Sequence, residues 1–197
     1  MRRKSFERLL FLIFLTMILF ACGNKNPKII IKTEFGDIII ELYQKQAPHT
    51  VVNFLKYIKE NRFEEATFYR VVRLDNQSDN ENKIEVIQGG LFEDDHPKAL
   101  PPIIHESTLQ TGILHKNGVI SMARYEPGTA TSEFFICIGD QPGLDFKGER
   151  NTDRQGFAAF GKVIKGMDVV REIQKQNAIG QYLDPRIKII EIVILWE

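Results

Sequence analysis

The residues best suited to chemistry are Arg70, Gln88 and Phe135, each set in a short apolar run. Arg70 stands in Phe68-Tyr69-Arg70-Val71-Val72, Gln88 in Ile87-Gln88-Gly89-Gly90, and Phe135 in Glu133-Phe134-Phe135-Ile136. A guanidinium keeps its charge at ordinary pH and presents its donors in a rigid planar fork. With an amide and aromatic surface to accompany it, such a group can bind and polarise a neutral carbonyl. Nothing in the pattern is suited to breaking a covalent bond. There is no cysteine nucleophile, no metal cluster and no phosphate loop. The histidines, His49, His96, His105 and His115, lack the i, i+4 or paired spacing of a metal site. His105-Glu106, beside a proline-rich loop, reads as surface. No pair of carboxylates is placed for acid–base work, so a hydrolase is set aside. A lone arginine on a strand is more often on its wet face than in a site, and Gln88 beside two glycines reads equally well as a turn residue.

These runs need a scaffold, and the chain reads mainly as strands. Runs rich in β-branched residues cover 28–33, 37–42, 67–72, 84–88, 118–123, 133–138, 158–164 and 187–195, with a hairpin signal at Phe35-Gly36. Eight strands can close an antiparallel barrel whose interior is filled by side chains. Two helical patterns interrupt them. Thr50 reads as an N-cap before Val51, Phe54, Leu55 and Ile58, and 167–176 puts Val169, Val170 and Ile173 on one side. The stretch 73–83 is almost wholly polar and reads as a solvated loop. Residues 94–117, with Pro97, Pro101 and Pro102, read as an irregular excursion.

The N-terminus reads as an address. Arg2, Arg3, Lys4 and Arg8 precede an apolar run over 9–21, and Cys22 closes it. That run is too short for a spanning helix, which needs roughly 20 apolar residues, but suits a signal peptide. Leu19-Phe20-Ala21-Cys22 resembles a bacterial lipobox, although Phe20 is bulkier than the residue that motif usually carries. The expected organisation is a signal peptide over 1–21, a lipidated tether over 22–28 with Cys22 acylated, and one domain over 29–197. The expected location is the bacterial cell envelope, with a monomer held on the membrane by its lipid. Removing the leader's four basic and one acidic residue from the chain's 26 of each leaves a net charge of −3. That balance gives no basic face for a nucleic-acid partner. Cys137, inside an apolar run, reads as a buried, inert thiol.

Taken in order, the three runs around Arg70, Gln88 and Phe135 resemble a cyclophilin-type peptidyl-prolyl cis-trans isomerase, from about Ile29 to the C-terminus. The resemblance implies a closed eight-stranded antiparallel β-barrel capped by two α-helices. It also implies rotation about X–Pro bonds in polypeptide clients, with no cofactor and no metal. It makes Arg70 the catalytic residue and Gln88 the group that helps place it, with Phe135, Leu144 and Phe157 lining a proline pocket. Phe68, Val86, Met122, Ala123 and Glu133 complete the substrate-binding set, Ala123 through its backbone and Met122 behind it. Glu133 stands where the family usually has glutamine, and it either faces Arg70 or points into solvent. Gly143 stands where an aromatic is common, Phe157 where many members have histidine, and Glu85 where an aromatic is expected. Trp196 reads as core. The alternative is a proline-segment-binding chaperone or scaffold module of the same fold with little turnover.

Overall fold

Two isoleucine-rich strands whose side chains alternate between core and surface build the first hairpin. In β1 (Lys28–Thr33), Ile29 and Ile31 pair with Ile40 and Ile38 of β2 (Gly36–Leu42), and all four are fully buried. A slip of one residue would turn this set to solvent, at roughly 1.5–3 kcal/mol for each side chain, so the register is strongly set. The structure is a computed structural model describing residues 26–195 apart from Asp79 and Asp94. The leader, Cys22 and Trp196 lie outside the described residues.

The remaining strands are β3 (Thr67–Val72), β4 (Val86–Gly90), β5 (Val119–Met122), β6 (Phe134–Cys137), β7 (Ala158–Lys165), β8 (Ala178–Ile179) and β9 (Tyr182–Leu195). Antiparallel pairing runs β1-β2-β7-β5-β6-β4-β3-β9, and β9 returns to β1. Eight strands therefore close a barrel, as expected. β8 adds a short hairpin on β9 at the rim that the sequence pattern did not indicate. β9 also starts at Tyr182, well before the expected 187.

Helix α1 (Pro48–Lys59) buries Val51, Phe54, Leu55, Tyr57 and Ile58 against the barrel. Phe54 meets Phe134 edge-on at 5.4 Å and Phe160 at 5.1 Å, which seals that end with aromatic surface. Thr50 is not its N-cap, because the helix begins at Pro48. The exposed N–H groups of the first turn are satisfied instead by Glu106. Its carboxylate accepts from His49 N (3.2 Å), Thr50 N (2.8 Å) and Thr50 Oγ1 (2.7 Å). A carboxylate suits the positive end of a helix, and Glu106 is buried, not surface. Residues 95–117 are thus a strap, tied by Glu106 and by Leu100 N–H donating to Tyr57 Oη at 2.7 Å. The strap contains the short helix α2 (Thr108–Thr111). Helix α3 (Met167–Lys175) buries Val170 and Ile173, with Val169 partly buried beside them.

The polar stretch 73–83 is also tied down. Gln77 is 5% exposed and bonds both ways, donating to the Arg73 and Ile84 carbonyls at 2.8 and 2.6 Å. Its Oε1 accepts from Ile84 N at 3.2 Å. A carboxamide can be buried at low cost when donor and acceptor are both used, which composition alone does not reveal.

Candidate active site

Strand pairing lines up the three residues singled out by sequence. Arg70 of β3 pairs with Gln88 of β4, Gln88 with Phe135 of β6, and Phe135 with Ser121 of β5. A register irregularity between Phe68 and Arg70, seen against both β4 and β9, decides which way they point. Without it Phe68 and Arg70 would share a face, since side chains alternate. With it Phe68 stays in the barrel core, while Tyr69 and Arg70 both line an outer groove of about 700 Å³. Bulges re-aim side chains in this way.

Arg70 is held on two sides. Its Nη1 donates to Gln88 Oε1 at 2.8 Å, and its Nε and Nη2 donate to Gln181 Oε1 at 3.0 and 2.6 Å. Two of the five guanidinium N–H bonds remain uncommitted among the described residues. Gln88 Nε2 in turn donates to Tyr69 Oη at 2.6 Å. Burial lowers the Arg70 guanidinium below its ordinary value, while Tyr182 and Tyr69 act the other way. The starting value is so high that the charge persists. Burial, then the Glu133 carboxylate, pushes Tyr69 well up, so it works as a neutral phenol.

The wall opposite Arg70 is an aromatic socket. Phe135, 4% exposed, meets Phe157 edge-on at 5.4 Å, with Leu144 and Val86 beside them. Phe135 is backed by the His115 ring, stacked at 6.0 Å. His115 is fully buried between Asp145 (Nδ1 to Oδ1, 2.7 Å) and Ser121 (Nε2 to Oγ, 3.0 Å), so this histidine serves the wall. A backbone bond from Phe157 N to the Leu144 carbonyl (3.0 Å) ties two sides of the socket together. Arg124 pins the third: it bonds both oxygens of Asp153 at 2.7 and 3.0 Å and sits 5.1 Å from the centre of the Phe157 ring.

Arg70, Gln88, Val86, Ala123, Glu133, Phe135, Leu144 and Phe157 all line this one groove. Phe68 and Met122 do not. Phe68 packs edge-on against Phe134 at 5.9 Å, and Met122, which pairs with Phe134, is 1% exposed in the barrel interior. Ala123 has its N–H committed to the Glu133 carbonyl at 2.8 Å, which leaves its carbonyl for a ligand. Glu133 takes neither expected course. Its Oε1 accepts from Phe92 N at 3.0 Å and Ser132 Oγ at 2.9 Å, and its Oε2 is buried with no hydrogen-bond partner. It fills the space that a side chain on Gly90 would need, and Gly90 has φ +147°. Glu85 faces α3, where it meets Gln174, and Ile84 lines the groove instead.

Gln181 was not read from the sequence. It sits in the two-residue turn between Ile179 and Tyr182, where Gly180 adopts φ +62°. The pair Gly180-Gln181 between Ile179 and Tyr182 was the available hairpin signal. Gln181 Nε2 donates to the Asn76 carbonyl at 3.0 Å, so the 73–83 segment steadies the residue that steadies Arg70. Gln181→Met, which keeps bulk but removes the acceptor, should lower kcat about tenfold through misplacement of Arg70. Thermal melting alongside the kinetics checks this: a lower kcat at unchanged stability is expected, and an unchanged kcat would remove Gln181 from the site.

Among the described residues no group of three or more His, Cys, Asp or Glu is placed to hold a metal. Residues 28–194 match the family described as cyclophilin type peptidyl-prolyl cis-trans isomerase/CLD. The chain is 35% identical over 158 residues to a peptidyl-prolyl cis-trans isomerase of Acinetobacter baylyi, covering 80% of this chain and 77% of that one. It is 34% identical over 143 residues to peptidyl-prolyl cis-trans isomerase B of Escherichia coli, covering 72% and 80%. The barrel also superposes on a crystal structure of a Cryptosporidium parvum cyclophilin type isomerase, with TM-score 0.69 and 21% identity over 87% of this chain and 99% of that one.

Proposed function

The chain belongs to the cyclophilin-type peptidyl-prolyl cis-trans isomerase family, and from that premise we propose that it works as a lipid-anchored isomerase outside the cytoplasm. Its clients are X–Pro bonds in unfolded or loosely folded proteins of the bacterial cell envelope, and it acts as a monomer. The observation that supports the chemistry is Arg70, braced by Gln88 and Gln181 at the mouth of an aromatic socket.

Rotation about X–Pro is slow because amide resonance sets a barrier of roughly 18–20 kcal/mol. The proline ring enters the socket of Phe135, Leu144 and Phe157. An uncommitted N–H of Arg70 donates to the prolyl nitrogen, making its lone pair less available to the carbonyl. The Ala123 carbonyl meets the backbone of the preceding residue. No proton leaves the substrate and no bond breaks. The rate gain comes from binding the twisted amide better than either planar form.

Location rests on the leader, whose cationic start and apolar run end at Cys22. Stable attachment takes more than one acyl chain, since a single chain binds only marginally. Cys22→Ser should release the protein from salt-washed membranes in a fractionation of bacteria expressing it. Full retention of the substituted protein on those membranes would rule out the anchor.

A further inference from the structure

Besides Arg70 and Arg124, which is paired with Asp153, the groove wall holds a third guanidinium, that of Arg150. Its backbone N–H donates to the Gly143 carbonyl at 3.0 Å, which sets the residue beside Leu144 of the socket. Its Nη1 donates to Gln77 Oε1 and to the Asn82 carbonyl, both at 2.9 Å. Both acceptors are neutral, and both come from the 73–83 segment. The Nε and Nη2 edge makes no hydrogen bond among the described residues, and that edge is the fork that grips a carboxylate through two parallel bonds.

Nearby carboxylates are engaged elsewhere. Glu149 pairs with Arg154 at 2.7 Å, Asp145 with His115 at 2.7 Å, and Asp153 with Arg124 at 2.7 Å. Glu133, in the same groove lining, is held through Oε1 by Phe92 N–H and Ser132 Oγ, while its Oε2 makes no hydrogen bond. Arg70 is likewise braced only by carboxamides. Burial lowers the Arg150 guanidinium, and the charge of Arg70 lowers it further; among the described residues neither guanidinium is ion-paired, and Glu133, the carboxylate in the same groove lining, is held by Phe92 and Ser132. A carboxylate arriving with the client would relieve both.

We propose that Arg150 is a specificity-determining residue that directs this enzyme to X–Pro sites flanked by an aspartate or glutamate. The proposal rests on the isomerase reading above. Arg150 lies beside the proline socket, so the favoured carboxylate is within a few residues of the proline. At such distances an ion pair in a partly desolvated site is attractive enough to matter and is weakened by salt.

The test uses the full mature chain and matched X–Pro peptides carrying Asp or Asn shortly before or shortly after the proline. The readout is the ratio of kcat/KM for the Asp peptide over its Asn twin. Wild type should favour Asp about fivefold on one side at low salt, falling toward equality at about 0.5 M salt. Arg150→Gln should lose most of that ratio, whereas Arg150→Lys, which keeps the charge, should retain much of it. A ratio near one for wild type on both sides, or the same ratio in Arg150→Gln as in wild type, would overturn the proposal. Absence of turnover by wild type on the Asn peptides would overturn the isomerase reading instead, so the two failures are told apart.

Discussion

Arg70→Ala should lower kcat/KM for a proline peptide by about a hundredfold or more while the barrel stays folded. The size follows from removing one preorganised donor aimed at the reacting centre, an effect typically of about 10²–10³. Stability should change little. Arg70 projects from the outer face of the barrel, and the two oxygens it leaves behind, Gln88 Oε1 and Gln181 Oε1, line an open groove that water can enter. Arg70→Lys should not restore the rate. One ammonium on a flexible stem cannot reach Gln88 and Gln181 together and still donate to a substrate. A folded Arg70→Ala protein with close to normal turnover would strip Arg70 of its role.

Phe135→Ala should be the most damaging change in the socket, and it should act twice. Phe135 is 4% exposed, stacked on His115 and edge-on to Phe157, so its loss opens a hole in a packed wall. Such truncations cost about 3–5 kcal/mol. For a chain of this length that is about 10 °C in melting temperature. Turnover should fall by about thirtyfold or more even at a temperature where the variant is fully folded, because the proline ring loses its main contact. Phe135→Leu separates the two effects. It refills most of the volume, so stability should recover more than kcat/KM does. Circular-dichroism melting and peptide kinetics on both variants check this. Normal kcat/KM in folded Phe135→Ala would place the proline elsewhere.

Much of this was legible in the sequence, for physical reasons. Runs of consecutive isoleucines write β1 and β2 into the sequence, and the spacing of Val51, Phe54, Leu55 and Ile58 writes α1. What escaped depends on contacts that no local pattern records. Strict alternation on β3 puts Phe68 on the same face as Arg70, and only the irregularity between them separates core from groove. Met122, counted in the substrate-binding set but read as lying behind Ala123, is indeed buried, pairing with Phe134 and leaving the groove to its neighbour. Glu106 and Gln77 look like solvated polar residues until a helix start and a backbone turn, distant or hidden in sequence, supply their partners. Glu133 reads from sequence as either facing Arg70 or pointing into solvent, but Phe92 and Ser132 hold it instead. Gln181 comes from a hairpin over a hundred residues beyond the arginine it orients.

Whether the groove catalyses or merely grips is decided by watching one X–Pro peptide exchange between its cis and trans forms. Two-dimensional exchange NMR on a peptide in large excess over the protein reads that rate directly. Uncatalysed interconversion takes about 10–100 s at 25 °C. With wild-type protein, cross-peaks between cis and trans resonances should appear at mixing times of about a second or less, and they should vanish when Arg70→Ala replaces it. Peptide shifts that report binding, with exchange still at the uncatalysed rate, would make this protein a proline-binding module and contradict the catalytic account.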